Sequence, residues 1–127
     1  MIHDEIVTFE VAKLAKEKGF NEKCNFYYQK GVINTDGCFN RYNKGVEYIC
    51  SAPTQSLLQR WLREEKEIII AISVDIDHDL HRVCYEYGVC YDFDGRTMEY
   101  HNCYDSFGRY EEALEDALKY ALENLVD

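Results

Sequence analysis

From Ile68 to Ile76 every even-numbered residue is a branched aliphatic: Ile68, Ile70, Ile72, Val74 and Ile76. A period of two puts all five on one side of a β-strand, so this strand needs a buried face. The segment before it supplies a cover. Between Gln55 and Glu65, Leu57, Leu58, Trp61 and Leu62 recur at helical spacing, with Gln55, Gln59, Arg60 and Arg63 on the opposite side. A helix followed by a strand, each with one apolar face, is the expected nucleus of the core.

The rest of the chain can be arranged around that unit. Thr8 is a good N-cap for a helix running to Lys18, with Gly19 as its left-handed C-cap and Phe20 as the apolar residue that follows. Cys24–Gln29 and Val46–Cys50 are rich in strand formers and could pair. The stretch from Gly31 to Gly45, with its Asn, Asp and Gly, reads as a long connection. A last helix spans about Arg109 to Val126, its stripe formed by Tyr110, Ala113, Leu114, Ala117, Leu118, Ala121 and Leu125. Asp105 or Ser106 could start it, and its first-turn acids suit the helix dipole. The expected class is α+β: an antiparallel sheet of about five strands in the order helix, two strands, helix, three strands, helix, with the helices on one face.

Two-residue turns at His78-Asp79 and Asp94-Gly95 would set a register for the three later strands. Ile72 would face Tyr85, Ile70 Tyr87 and Ile68 Val89; Tyr85 would face Tyr104 and Val89 Tyr100. Asp75 would lie opposite Arg82, an opposite-charge pair. All the apolar members then share one side, whereas a slip of one residue would throw them onto the other.

A chain of 127 residues fits one domain, 1–127, that can bury a sizeable core without covalent staples. Six cysteines, about 5% of the chain, fall below the density of a disulfide scaffold. The acids at Asp4 and Glu5 are unlike the start of a signal peptide. Reduced thiols and a cytoplasmic location are expected, and no apolar run is long enough for a membrane span. The net charge of −10 is uneven: residues 1–66 carry 10 bases and 9 acids, residues 67–127 carry 4 and 15. The later half should repel nucleic acid.

Three segments together carry a resemblance. Ser-Ala-Pro-Thr-Gln-Ser-Leu-Leu-Gln-Arg-Trp-Leu-Arg-Glu (Ser51 to Glu64), the run Phe9 to Phe20 and Tyr110-Glu111-Glu112-Ala113-Leu114-Glu115 resemble a group of small uncharacterised proteins of phages and prophages of gut anaerobic bacteria. The resemblance implies a protein made inside a bacterial cell, and carries no activity or functional residues with it. The element order over residues 54–125 is also that of double-stranded RNA-binding domains. Those domains present bases to phosphate from the start of their last helix, where this chain has Glu111, Glu112, Glu115 and Asp116.

Several constellations bear on chemistry. Asp75, Asp77 and Asp79, with Glu86, have the spacing of a calcium loop, but Leu80 stands where such a loop needs Gly. In the expected register Cys90, His101 and Cys103 share the polar side of the last two strands, a possible zinc set lacking any CxxC knuckle. Cys103 and His101 are two apart on one strand, roughly 7 Å between Cα atoms, beyond direct proton transfer. There is no Gly-rich phosphate loop and no GxSxG elbow. Eleven tyrosines are present; Tyr42 and Phe39 in the 31–45 loop suit a recognition surface as well as packing.

The sequence thus leads to a non-enzymatic accessory protein without a cofactor, leaving a catalyst open. Its partner would be another protein, which the resemblance implies is a bacterial host factor, with neither nucleic acid nor membrane. The contact residues would be Glu111, Glu112, Glu115 and Asp116 or Tyr42 and Phe39, on a monomer or weak homodimer. The alternative is a zinc protein or enzyme using Cys90, His101 and Cys103.

Overall fold

The computed structural model describes residues 2–35, 49–92 and 98–127. Three helices, α1 (Phe9–Glu17), α2 (Gln55–Glu65) and α3 (Tyr110–Asn124), combine with six strands: β1 (Tyr27–Gln29), β2 (Val32–Asn34), β3 (Ile49–Ser51), β4 (Ile69–Asp77), β5 (Arg82–Asp92) and β6 (Met98–Phe107). The class is α+β with antiparallel strands and helices packed against them, as expected. Among the described residues the strands form two antiparallel sheets, ordered β2-β1-β3 and β4-β5-β6, rather than one sheet of about five. The additional strand is β2, inside what reads in sequence as a loop. Lys30 and Gly31, both at positive φ, turn the chain back so that Gln29 faces Val32.

Local chemistry sets the helix ends. The Thr8 hydroxyl accepts from the Val11 amide at the start of α1. At its other end Gly19 takes φ +96°, and the Phe20 amide donates to the Ala15 carbonyl at 2.9 Å. That six-to-one bond carries Phe20 into the core beside Trp61, ring centroids 5.3 Å apart. Thr54 caps α2 by accepting from the Leu57 amide at 3.2 Å. Arg109, at the N-cap of α3, makes no side-chain cap; Asp105 and Ser106 lie within β6 and do not start the helix.

One buried cluster joins the two sequence halves, running from Val7, Val11 and Phe20 through Leu58, Leu62, Ile70 and Val89 to Leu118, Leu122 and Val126. Leu122, absent from the expected stripe of α3, is fully buried, while Tyr110 at the helix start is largely exposed. Gln55 also departs from expectation. It is buried because its amide meets the Glu111 carbonyl at 2.9 Å and the Glu115 carboxylate at 3.0 Å.

Both expected registers shift, with different consequences. Ile72 faces Tyr87 and Ile70 faces Val89, while Asp77, not Asp75, faces Arg82. The connection is therefore four residues long. The Asp77 carboxylate accepts from the amides of Asp79 and Leu80, both at 3.1 Å, and His81 closes the turn at φ +52°. A shift of two preserves which residues share a face. Between β5 and β6 the shift is one: Val89 faces His101, and Cys90 faces Tyr100. Beyond an irregularity between Tyr85 and Tyr87, Tyr85 faces Phe107 rather than Tyr104.

Candidate functional site

The one-residue shift separates the expected zinc set. His101 and Cys103 stand opposite Val89 and Tyr87, on the side of the sheet that α3 covers. Cys90 alternates to the other side, next to Gly88 and opposite Tyr100. His101 lies flat on Tyr120 of α3, centroids 4.0 Å apart and planes 9° from parallel. Cys103 contacts Tyr87, whose hydroxyl donates to Asp116 at 2.8 Å. Burial, followed by these hydrogen bonds, holds the Tyr87 pKa well above its ordinary value. The three residues are two packing contacts on one side and a thiol on the other. Among the described residues no group of three or more His, Cys, Asp or Glu is placed to hold a metal ion.

The acids of α3 divide as well. Glu115 accepts from the Thr8 amide at 2.9 Å, the Thr8 hydroxyl at 2.8 Å and Gln55. Asp116 accepts from Tyr87. These two carboxylates bind the molecule to itself. Glu111 lies 3.6 Å from Arg109, which also reaches Glu5 at 3.0 Å. Glu112 is the exposed member of the four. Phe39 and Tyr42, the other residues expected at an interface, lie outside the described residues.

A different surface emerges at the far end of the second sheet. The last partnered residue of β5 toward β6 is Tyr85, so Arg82–Cys84 and the facing part of β4 continue as a two-stranded ribbon. The aliphatic face of β4 runs on into this ribbon, but its cover does not. Ile70 is 6% exposed, whereas Val74 is 64% and Ile76 56% exposed. Val83, directly opposite Ile76, is 48% exposed, and Leu80 at the turn is open as well. The cover ends where Tyr110, at the start of α3, packs edge-on against Tyr85 with ring centroids 6.0 Å apart. Nine residues of strand extend about 30 Å, longer than the helices beneath can shield. The strip was missed in sequence because alternation shows which face is apolar, not where its cover stops.

The free edge of β4 is treated differently from that face. The Gln59 side chain donates to the Ile70 carbonyl at 3.2 Å, and the Asp75 carboxylate accepts from the Ile76 amide at 2.8 Å. Side chains thus occupy main-chain groups at both ends of an edge that could otherwise recruit another strand. Comparison with family models, with curated proteins and with solved structures returns no match.

Proposed function

We propose that this chain is a non-enzymatic accessory domain that binds another protein through the apolar face of the β4–β5 ribbon. One observation carries the reading: Val74, Ile76 and Val83 continue the core face of the sheet yet remain about half exposed or more. A contiguous apolar strip rimmed by polar groups is characteristic of an interaction surface. The capped edge argues for contact through side chains rather than strand addition.

The chemistry of the surroundings specifies the partner. Glu111 and Glu112 follow Tyr110 at the end of the strip, and the chain as a whole carries −10. An amphipathic helix with an apolar stripe edged by Lys and Arg would cover the ribbon as α3 covers the sheet behind it. The sequence resemblance to phage and prophage proteins supports a bacterial host protein as that partner, met in the cytoplasm. Among the described residues no helix is long and apolar enough to cross a membrane.

The test is affinity capture from a bacterial lysate with the native chain and with Val74→Lys/Ile76→Lys, after showing that both melt alike. A partner held by the native chain, lost by the variant and released by salt supports the reading. The same proteins held by both chains would overturn it.

A further inference from the structure

We propose that the outer side of the second sheet binds a short β-linked saccharide, with Tyr100 as the ring it stacks on. The helices pack on the side that carries Ile70, Tyr87 and Val89, so β4, β5 and β6 turn their alternate residues outward. Across them run the rows Ile69–Cys90–Tyr100 and Ala71–Gly88–Asn102, followed by Ser73 beside Glu86. Tyr100 is 62% exposed, yet it does not stand away from the sheet. Its phenol end lies over Gly88, where a Cβ would overlap the hydroxyl and Cζ. Glycine at this place in the strand is what lets the ring lie across it.

Beside the ring the surface is low and polar. Ala71, Ser73 and Gly88 form a floor of small residues, and Ser73, Glu86 and Asn102 bring hydrogen-bonding groups to it. Among the described residues none of these three side chains, nor the Tyr100 hydroxyl, is tied to another group. Gln59 and Asp75, by contrast, are both engaged with main-chain atoms of β4. The set offers every kind of partner: an amide that donates and accepts, a carboxylate that accepts, and hydroxyls that do either.

A protein partner is gripped by large side chains, which the rows Ala71–Gly88–Asn102 and Ser73–Glu86 lack. A pyranose with equatorial hydroxyls fits both parts of this surface. Its C–H face is apolar and rests on the electron-rich face of an aromatic ring, while the hydroxyls around its rim donate and accept at once. Rows on one side of a sheet are about 7 Å apart, so the two steps from the Tyr100 row to the Glu86 row leave room for linked sugars rather than a single ring. Val74 and Ile76 lie on the opposite side of the sheet, and the inference does not depend on the protein-binding reading.

Amide NMR during titration with cellotetraose and with chitotetraose tests it. The comparison probes are glycerol, which has hydroxyls but no apolar face, and N-acetylargininamide, which would stack on Tyr100 and pair with Glu86 as a basic protein segment would. Saturable shifts at Ala71, Ser73, Gly88 and Asn102 are expected with at least one saccharide, and binding of each comparison probe about tenfold weaker or less. Tyr100→Ala should weaken saccharide binding by about tenfold or more, whereas Tyr100→Phe, which keeps the ring, should retain most of it. Asn102→Ala, at an exposed position, should also weaken binding while leaving the remaining spectrum in place. N-acetylargininamide binding as tightly as the saccharides would overturn the proposal in favour of a basic protein segment. Absence of a saturable shift with either saccharide, shifts at other residues, or binding unchanged in Tyr100→Ala would overturn it outright.

Discussion

Glu115 on α3 accepts from both the amide and the hydroxyl of Thr8, at 2.9 and 2.8 Å, so a single carboxylate holds the N-cap of α1 against the last helix. Its other oxygen takes the Gln55 amide at 3.0 Å, adding the start of α2. Three helix beginnings or flanks converge on one side chain that helical periodicity would assign to solvent. The N-terminal segment reinforces the junction, with Val7 donating to the Pro53 carbonyl and Gln55 to that of Glu5.

Removal of that carboxylate should be felt throughout the junction. Glu115→Ala leaves the buried Gln55 amide with the Glu111 carbonyl but without its carboxylate partner, and strips the Thr8 amide of its acceptor, an expected loss of about 1–3 kcal/mol. Glu115→Gln keeps one acceptor oxygen and should lose less. Urea unfolding gives the sizes, and amide exchange should show Phe9 to Val11 opening faster in the alanine variant. Equal stability of all three chains would mean that the junction is held by packing alone.

The limit of the core along β4 makes a second expectation. Ile70 and Ile76 share a face, but only Ile70 is packed. Ile70→Ala should cost about 2–5 kcal/mol, whereas Ile76→Ala should stay within about 0.5 kcal/mol. Two identical truncations on one strand then differ only in what covers them. Comparable losses at both positions would show that the ribbon is buried in solution, by a second copy or otherwise.

Much of the fold could be read locally. Thr8, Gly19 and Phe20 act where their cap chemistry puts them, and the β4 alternation gives the correct buried side at Ile68 and Ile70. The long-range features could not. Gln55 is buried by partners more than fifty residues away, invisible to a helical pattern. In β6 the alternation is ambiguous, since Tyr100 and Tyr104 alternate with His101 and Cys103 and each set can be half-buried. Turn length alone then decides the register. Asp92 faces Met98, one residue off the register that a turn at Asp94-Gly95 would set, and the metal set built on that register comes apart; Asp94 and Gly95 themselves lie outside the described residues.

That separation has its own consequence for metal binding. With Cys90 on one side of the sheet and His101 and Cys103 on the other, Cys90→Ser should leave any cobalt(II) affinity and spectrum unchanged. A thiolate–cobalt band present in the native chain and lost in Cys90→Ser would require the three to meet, and hence a different β5–β6 register.

Alkaline pH should destabilise the protein from a defined starting point. Burial pushes the Cys24 thiol from 9.0 up to about 12, against the opposing hydrogen bond from Ser51. Burial also raises Cys50, opposed by Lys16, and Tyr87 is raised from 10.0 by burial and then by its bond to Asp116. In each case the folded state favours the neutral form. Below pH 9 the thiols are protonated in both states, and their contribution is fully present. As pH rises past 9, the unfolded chain releases protons that the folded chain keeps, so the equilibrium moves toward unfolding until the folded thiol itself ionises near 12. Each group can contribute a slope of up to ~1.4 kcal/mol per pH unit within its window. Urea unfolding under reducing conditions at pH 8, 9, 10 and 11 should show little change over the first interval and a steepening loss thereafter. Cys24→Ala should flatten the loss between pH 9 and 10, and Tyr87→Phe should flatten it above 10 while costing some stability at neutral pH through the lost Asp116 bond. An unchanged slope in Cys24→Ala would mean that water reaches this thiol in the folded state, contrary to its place in the core.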